Sequence, residues 1–330
     1  MPRRNWEIPE REATPEHVYL NRRKFLKTMG YTGLSAAGIL AGCSGDAGTV
    51  LSPVQQEPPP QQATSSVLAG DESIVYPAPL NPDFATLDRR LTQEDAAAVY
   101  NNFFEFTVTK QVWRWVEPLT INPWSVEIAG LVQKPKVYDL DELVRKMPLE
   151  ERLYRHRCVE AWAMAVPWTG FPMKALIDAV QPLAAARFVK MTSFFNPAEA
   201  KSQDELPGLP WAYTEGLSME EATNELTLLA TGMYGHELLK QHGAPIRLVV
   251  PWKYRFKSVK SIVRIEFTSE RPATFWNELV PLEYGFEANV NPAVPHPRWS
   301  QERESMLGSE EIRPTLLYNG YEEYVAHMYG

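Results

Sequence analysis

Leu153-Tyr154-Arg155-His156-Arg157-Cys158-Val159-Glu160-Ala161-Trp162 is the stretch from which this chain is best read. Three bases stand immediately before its cysteine. Positive charge lowers a thiol pKa and favours the thiolate, which is both the nucleophile and the soft metal ligand. The plainer alternative is a small buried hydrophobe. A second stretch stands out beside it: His242-Gly243-Ala244-Pro245-Ile246-Arg247-Leu248-Val249-Val250-Pro251-Trp252-Lys253-Tyr254-Arg255-Phe256-Lys257-Ser258-Val259-Lys260. A glycine turn leads into a strand, and basic side chains return at Arg247, Lys253, Arg255, Lys257 and Lys260. Such a stretch suits a phosphate or another anion. A solvated basic face is the alternative.

The surrounding chain is acidic. Of the net charge of −8 over 330 residues, residues 1–42 hold seven basic and four acidic side chains, which leaves −11 for the remainder. An acidic body excludes nucleic acid as a partner. Two cysteines, Cys43 and Cys158, exclude a disulfide framework and a four-cysteine zinc site. The dinucleotide fingerprint, the P-loop, the hydrolase elbow and the paired-histidine zinc motif are all missing. The histidines read individually as structural.

The N-terminal region reads as an address. Asn21-Arg22-Arg23-Lys24-Phe25-Leu26-Lys27 resembles a twin-arginine signal, a pathway that carries folded, cofactor-loaded proteins. The fifteen uncharged residues that follow, 28–42, are shorter than the ~20 of a membrane span. Leu40-Ala41-Gly42 before Cys43 looks like a lipoprotein processing box, with an unmodified signal as the alternative. Residues 1–43 are thus expected to be an export signal. Residues 44–80, with Pro58-Pro59-Pro60 and neighbouring glutamines, are expected to be a linker, and 81–330 one folded domain.

Within that domain Thr92 and Asp95 suggest a capped helix through Tyr100. Asp139 and Glu142 suggest another that stops at Pro148, and residues 171–180 a third. Strands are expected at 104–109, 124–128, 188–193, 226–230, 246–250 and 262–267, the last with Val263, Ile265 and Phe267 on one face. The tail from Glu283 reads as an ordered aromatic wrap. Strands outnumber helices without regular alternation, so the fold class is α+β, a mixed β-rich core with short helices.

Together, R-C-V-E-A-W…P-W-x-G-F-P and H-G-A-P-I-R-L-V-V-P-W-K-Y resemble the molybdopterin oxidoreductases of the sulfite-oxidase fold. Supporting stretches are Asn101–Phe106, Ala288–Pro292, His296–Gln301 and Arg313–Gly320. The resemblance implies a Mo-molybdopterin cofactor whose molybdenum is ligated by Cys158. It implies cofactor contacts from Asn101, Phe104, Glu105, Ser193, His242, Arg247, Ser258, Val259 and Lys260. Familiar members carry Thr at the position of Ser193 and Asn at that of His242; both replacements keep hydrogen-bonding capacity. Sulfite oxidases continue from the ligand as C-A-G-N-R-R, whereas here Glu160 follows two residues on. A carboxylate there repels sulfite, suits a neutral sulfoxide and offers a proton relay. The resemblance therefore implies a periplasmic reductase of methionine sulfoxide in oxidised proteins. It would be exported by the twin-arginine machinery, tethered through Cys43 and fed by a haem-containing membrane electron-donor subunit. Two alternatives are reduction of another small S- or N-oxide on the same fold, and a metal-free lipoprotein binding module.

Overall fold

The computed structural model describes residues 74–330, so the export signal, Cys43 and most of the linker lie outside the described residues. No helix among the described residues is long and apolar enough to cross a membrane. The first described residues already belong to the body. Tyr76 donates its hydroxyl to Thr231 at 2.9 Å, Ala78 is buried and Leu80 bridges to Glu151.

Two mixed sheets carry the fold, as the α+β expectation requires. The first runs in the order β2 (Lys136–Asp139), β1 (Ser125–Gly130), β10 (Ile262–Thr268), β5 (Phe188–Ser193), β6 (Thr214–Ser218). It is mixed because β1 and β10 run parallel. The second has seven strands: β12 (Ile312–Pro314), β11 (Arg303–Met306), β4 (Trp162–Pro172), β7 (Leu228–Met233) and β8 (His236–Glu237) in order, with β3 (Glu150–Arg157) on β4 and β9 (Arg247–Val249) on β7. Its spine is β4, buried along nearly its whole length. It pairs with β3 through residues 163–170 and with β11 and β7 at its two ends. A strand covered on both faces carries no polar alternation, which is why β4 escapes a reading based on period; β3 alternates in burial, but with Arg152 and His156 among its buried side chains.

Several local expectations hold. Asp139 caps the helix Leu140–Arg145, its side chain accepting from the Glu142 N–H at 3.0 Å. The tail wraps the body, with Tyr284 and Phe286 buried and Trp299 and Tyr318 half-buried. Others are corrected. The helix Glu94–Val99 is not capped by Thr92. That residue docks on β4 instead, its N–H donating to Ala165 O at 2.8 Å and its hydroxyl accepting from Ala165 N–H. Residues 104–109 form no strand but a turn, in which Phe106 N–H donates to Phe103 O. Their alternation arises because Phe106 enters a small second core with Phe103 and Phe194, while Phe104 faces the cavity described below. In β10 a bulge between Ile262 and Arg264 shifts the register. Ile262, Ile265 and Phe267 are therefore the buried set, and Val263 packs against the small core.

Candidate active site

The β3–β4 hairpin places Cys158. Its N–H donates to Trp162 O at 2.9 Å and its O accepts from Ala161 N–H at 3.0 Å, which closes a four-residue turn. The turn requires Ala161 at φ +69°, a left-handed conformation that costs a non-glycine residue about 1 kcal/mol or more. The Cys158 thiol is buried at the wall of a cavity of 1050 Å³.

The bases next to Cys158 in sequence are engaged mainly elsewhere, although Arg157 donates to the Cys158 carbonyl and interacts with its charge. Arg155 reaches Asp88 at 3.0 Å and the carbonyls of Asn319 and Gly320. Arg157 is buried against Glu304 at 3.2 Å. Lys110 and Arg255, from distant segments, are the cations that favour the Cys158 thiolate. They do not prevail: burial, reinforced by Glu160, pushes the thiol up to about 12. A lone thiol so placed is a poor nucleophile, whereas a bound metal deprotonates a coordinating thiol outright.

Glu160, two residues on, is gripped from three sides. Its Oε2 accepts from Lys110 Nζ, from Trp162 Nε1 at 3.1 Å and from Asn102 Nδ2 at 3.2 Å. The Asn102 amide also lies 3.5 Å from Cys158 Sγ, and its oxygen accepts from Lys110. Burial raises the Glu160 carboxyl, but these donors outweigh it and hold the group below its ordinary value. The Cys158 thiol is a further neighbour of Glu160 Oε2, at 3.8 Å.

Of the eleven side chains expected at the site, Cys158, Glu160, Phe104, Glu105, Ser258, Val259 and Lys260 line the cavity. Asn101, Ser193, His242 and Arg247 are buried but do not line it. Asn101 Oδ1 lies 3.3 Å from Arg255 Nη2 and 3.2 Å from His242 Nδ1. Arg247 donates to the carbonyl of His242 at 2.8 Å and stacks 4.9 Å from the centroid of Trp168. Ser193 ends β5 beside the buried Glu105 carboxyl.

The charge pattern is the informative feature. Buried Lys253 pairs with Glu221 at 2.5 Å and buried Lys257 with Glu215 at 3.0 Å. Arg247, Arg255 and Lys260 are equally buried, yet none forms an ion pair with a carboxylate among the described residues. Their partners are backbone carbonyls and one amide oxygen. Burial drives Arg247 and Lys260 well below their ordinary values, and repulsion from Arg255 adds to it. Buried cations without counter-charge are costly and call for an anion. Ser258 Oγ, His242 Nε2, and Nε and Nη1 of Arg255 are buried with no partner. With the charge of Arg247 and Lys260, the Ser258 and His242 donors fit a phosphate-bearing group. Among the described residues no three His, Cys, Asp or Glu side chains are grouped to hold a metal. A metal at Cys158 would therefore take its other donors from a bound cofactor, and the residues present fit a molybdenum–pterin group.

Arg255, Asn102 and Lys110 complete the site and were not singled out from sequence. Arg255 lay in the basic stretch but had no local mark separating it from Lys253 and Lys257. Asn102 and Lys110 border the segment misread as a strand.

Comparison with known proteins agrees with this geometry. Residues 114–276 match the family model described as the oxidoreductase molybdopterin binding domain. The protein-methionine-sulfoxide reductase catalytic subunit of Burkholderia mallei is 44% identical over 329 residues, 98% of this chain and 93% of that relative. The subunit of the same name from Campylobacter jejuni is 43% identical, covering 96% of each chain. Among solved structures, the sulfane dehydrogenase SoxCD of Paracoccus pantotrophus shares 19% identity at a TM-score of 0.39, over 46% of this chain and 40% of that one.

Proposed function

The chain belongs to the family of protein-methionine-sulfoxide reductase catalytic subunits, and on that footing we propose that it reduces methionine sulfoxide in proteins with a molybdenum–molybdopterin cofactor held at Cys158. The observation that supports this reading best is the Cys158 turn opening into a cavity beside three buried cations that no carboxylate neutralises.

The cofactor, when bound, supplies two-electron chemistry that accepts an oxygen atom. The protein does the rest. Cys158 holds the metal as thiolate. Lys260, the Ser258 hydroxyl and nearby backbone N–H groups bind the pterin phosphate, with Arg247 adding charge from behind. The Lys110–Asn102–Glu160 grip fixes the wall next to the thiol. Trp276, Tyr284 and Trp299 give the cavity an aromatic lining for a methionine side chain, whose sulfur packs well against rings. Overall, the sulfoxide takes two electrons and two protons, and methionine and water leave.

Electrons come from a transfer partner, which we assign to a haem-containing membrane subunit. The Arg22-Arg23 signal supports periplasmic location through the twin-arginine machinery, and Leu40-Ala41-Gly42-Cys43 supports a lipid tether. A tether would keep the enzyme near its donor. Labelling with radioactive palmitate tests the tether, and unlabelled wild type retires it.

Metal analysis of purified Cys158→Ser tests the site. The variant is expected to fold, to lose most of its molybdenum and to fall at least ~100-fold in activity. Full molybdenum with wild-type turnover would overturn the assignment. Competition between oxidised protein and free S- or N-oxides decides the substrate class, and the oxidised protein is expected to win.

A further inference from the structure

Reduction of a sulfoxide needs a donor for its oxygen, which carries most of the negative end of a strong dipole. Three cations line or back the cavity, and they are not equivalent. Arg247 donates to the carbonyls of His242, Leu248 and Ser258. Lys260 donates to those of Asn102 and Gln241. Arg255 holds one partner, the Asn101 amide oxygen at 3.3 Å, while its Nε and Nη1 have none. It is only 4% exposed. Its guanidinium carbon sits over Trp162, 4.7 Å from the ring centroid, and Tyr100 packs edge-on against that ring at 5.2 Å. Arg255, Trp162 and Tyr100 line the same cavity as Cys158 and Glu160.

We propose that Arg255 is a substrate-binding residue, whose free guanidinium edge holds the sulfoxide oxygen next to Cys158. The inference rests on the sulfoxide-reductase reading above and deepens it. A planar fork clamped on an aromatic face is preorganised and loses little entropy when it donates. The neighbouring Glu160 carboxylate makes the pair selective. A dipolar, uncharged S=O meets the donor without penalty, whereas an oxyanion such as sulfite also meets the carboxylate. Arg247 and Lys260, each already anchored to backbone carbonyls, supply charge for the cofactor phosphate and leave the oxygen to Arg255.

The test compares Arg255→Met and Arg255→Lys holoenzymes with wild type on an oxidised protein substrate. Affinity for a methionine-sulfone peptide, which presents S–O oxygens but is not turned over, is measured beside the kinetics. Loss of one charge-assisted hydrogen bond predicts a KM and a sulfone Kd raised roughly 10- to 100-fold in Arg255→Met, with smaller rises in Arg255→Lys. Molybdenum and pterin content stay at wild-type level. Unchanged KM and sulfone affinity in Arg255→Met would overturn the proposal. So would loss of molybdenum or pterin from both variants, which would make Arg255 a cofactor anchor. If only Arg255→Met fails to load, the sulfone affinity of Arg255→Lys decides, and a wild-type value counts against the proposal. Wild type inactive on methionine sulfoxide would sink the functional reading instead, and the sulfone titration would still judge Arg255.

Discussion

At the scale of the residue, Glu105 is the most sharply placed group after Cys158. Its carboxyl is fully buried at the cavity wall, and burial pushes it from 4.5 up to about 7, with Ser193 and Lys260 offsetting part of the rise. Between those values the folded protein holds a proton that the unfolded chain has released. Stability from this group is therefore intact at acid pH and is lost as pH rises through that window. Glu105→Gln removes the penalty. Thermal melts from pH 5 to 8 should show wild type losing on the order of 2–3 kcal/mol relative to the variant; parallel melting curves would count against it. The same scale shows what sequence could reveal. Cys158, Lys260 and Ser258 were legible because their side-chain chemistry is rare or sits in a distinctive string. Arg255 was not, because its importance lies in the partners it lacks, and a missing partner is a property of the fold. The bases flanking Cys158 misled for a related reason: strand geometry turns Arg155 away and Glu304 takes Arg157.

At the scale of the element, the path from β4 through β7 to β9 connects the hairpin that carries Cys158 with the strand that carries Arg247. At Gly170, beside a shift in the β4–β7 register, the two backbones approach closely. A Cβ there would lie 2.2 Å from the Leu229 carbonyl oxygen and 2.7 Å from the Ala230 Cα, which are backbone atoms that cannot swing aside. Gly170→Ala must therefore part the strands. It is expected to cost about 1–3 kcal/mol in denaturant melts and to lower molybdenum content through the displaced β9. Wild-type stability would show that the strands separate more easily than this packing implies. Strands with one wet face, such as β5 with its alternating burial, announced themselves in the sequence. The β4 strand reads as an undivided apolar run because neither face meets water, and the helix expected from Phe171 loses its first two residues to that strand.

At the scale of the whole molecule, the packed body begins at least as early as Tyr76, tied to β7 through Thr231. The proposed address is separable from the catalytic body. In the Arg22→Lys, Arg23→Lys double variant, cell fractionation is expected to find loaded enzyme retained in the cytoplasm, with the purified protein as active as wild type. Export of that variant at the normal level would retire the twin-arginine assignment.

The buried cations Arg247 and Lys260, which form no ion pair among the described residues, have a consequence for the life of the protein in the cell. A fold whose interior electrostatics are balanced only by a bound anion is looser when that anion is missing, since binding to the native state alone adds to its stability. Loading is thereby written into mechanical firmness. A protease, or a translocase that accepts only compact cargo, can distinguish a finished enzyme from an empty one without ever recognising the cofactor.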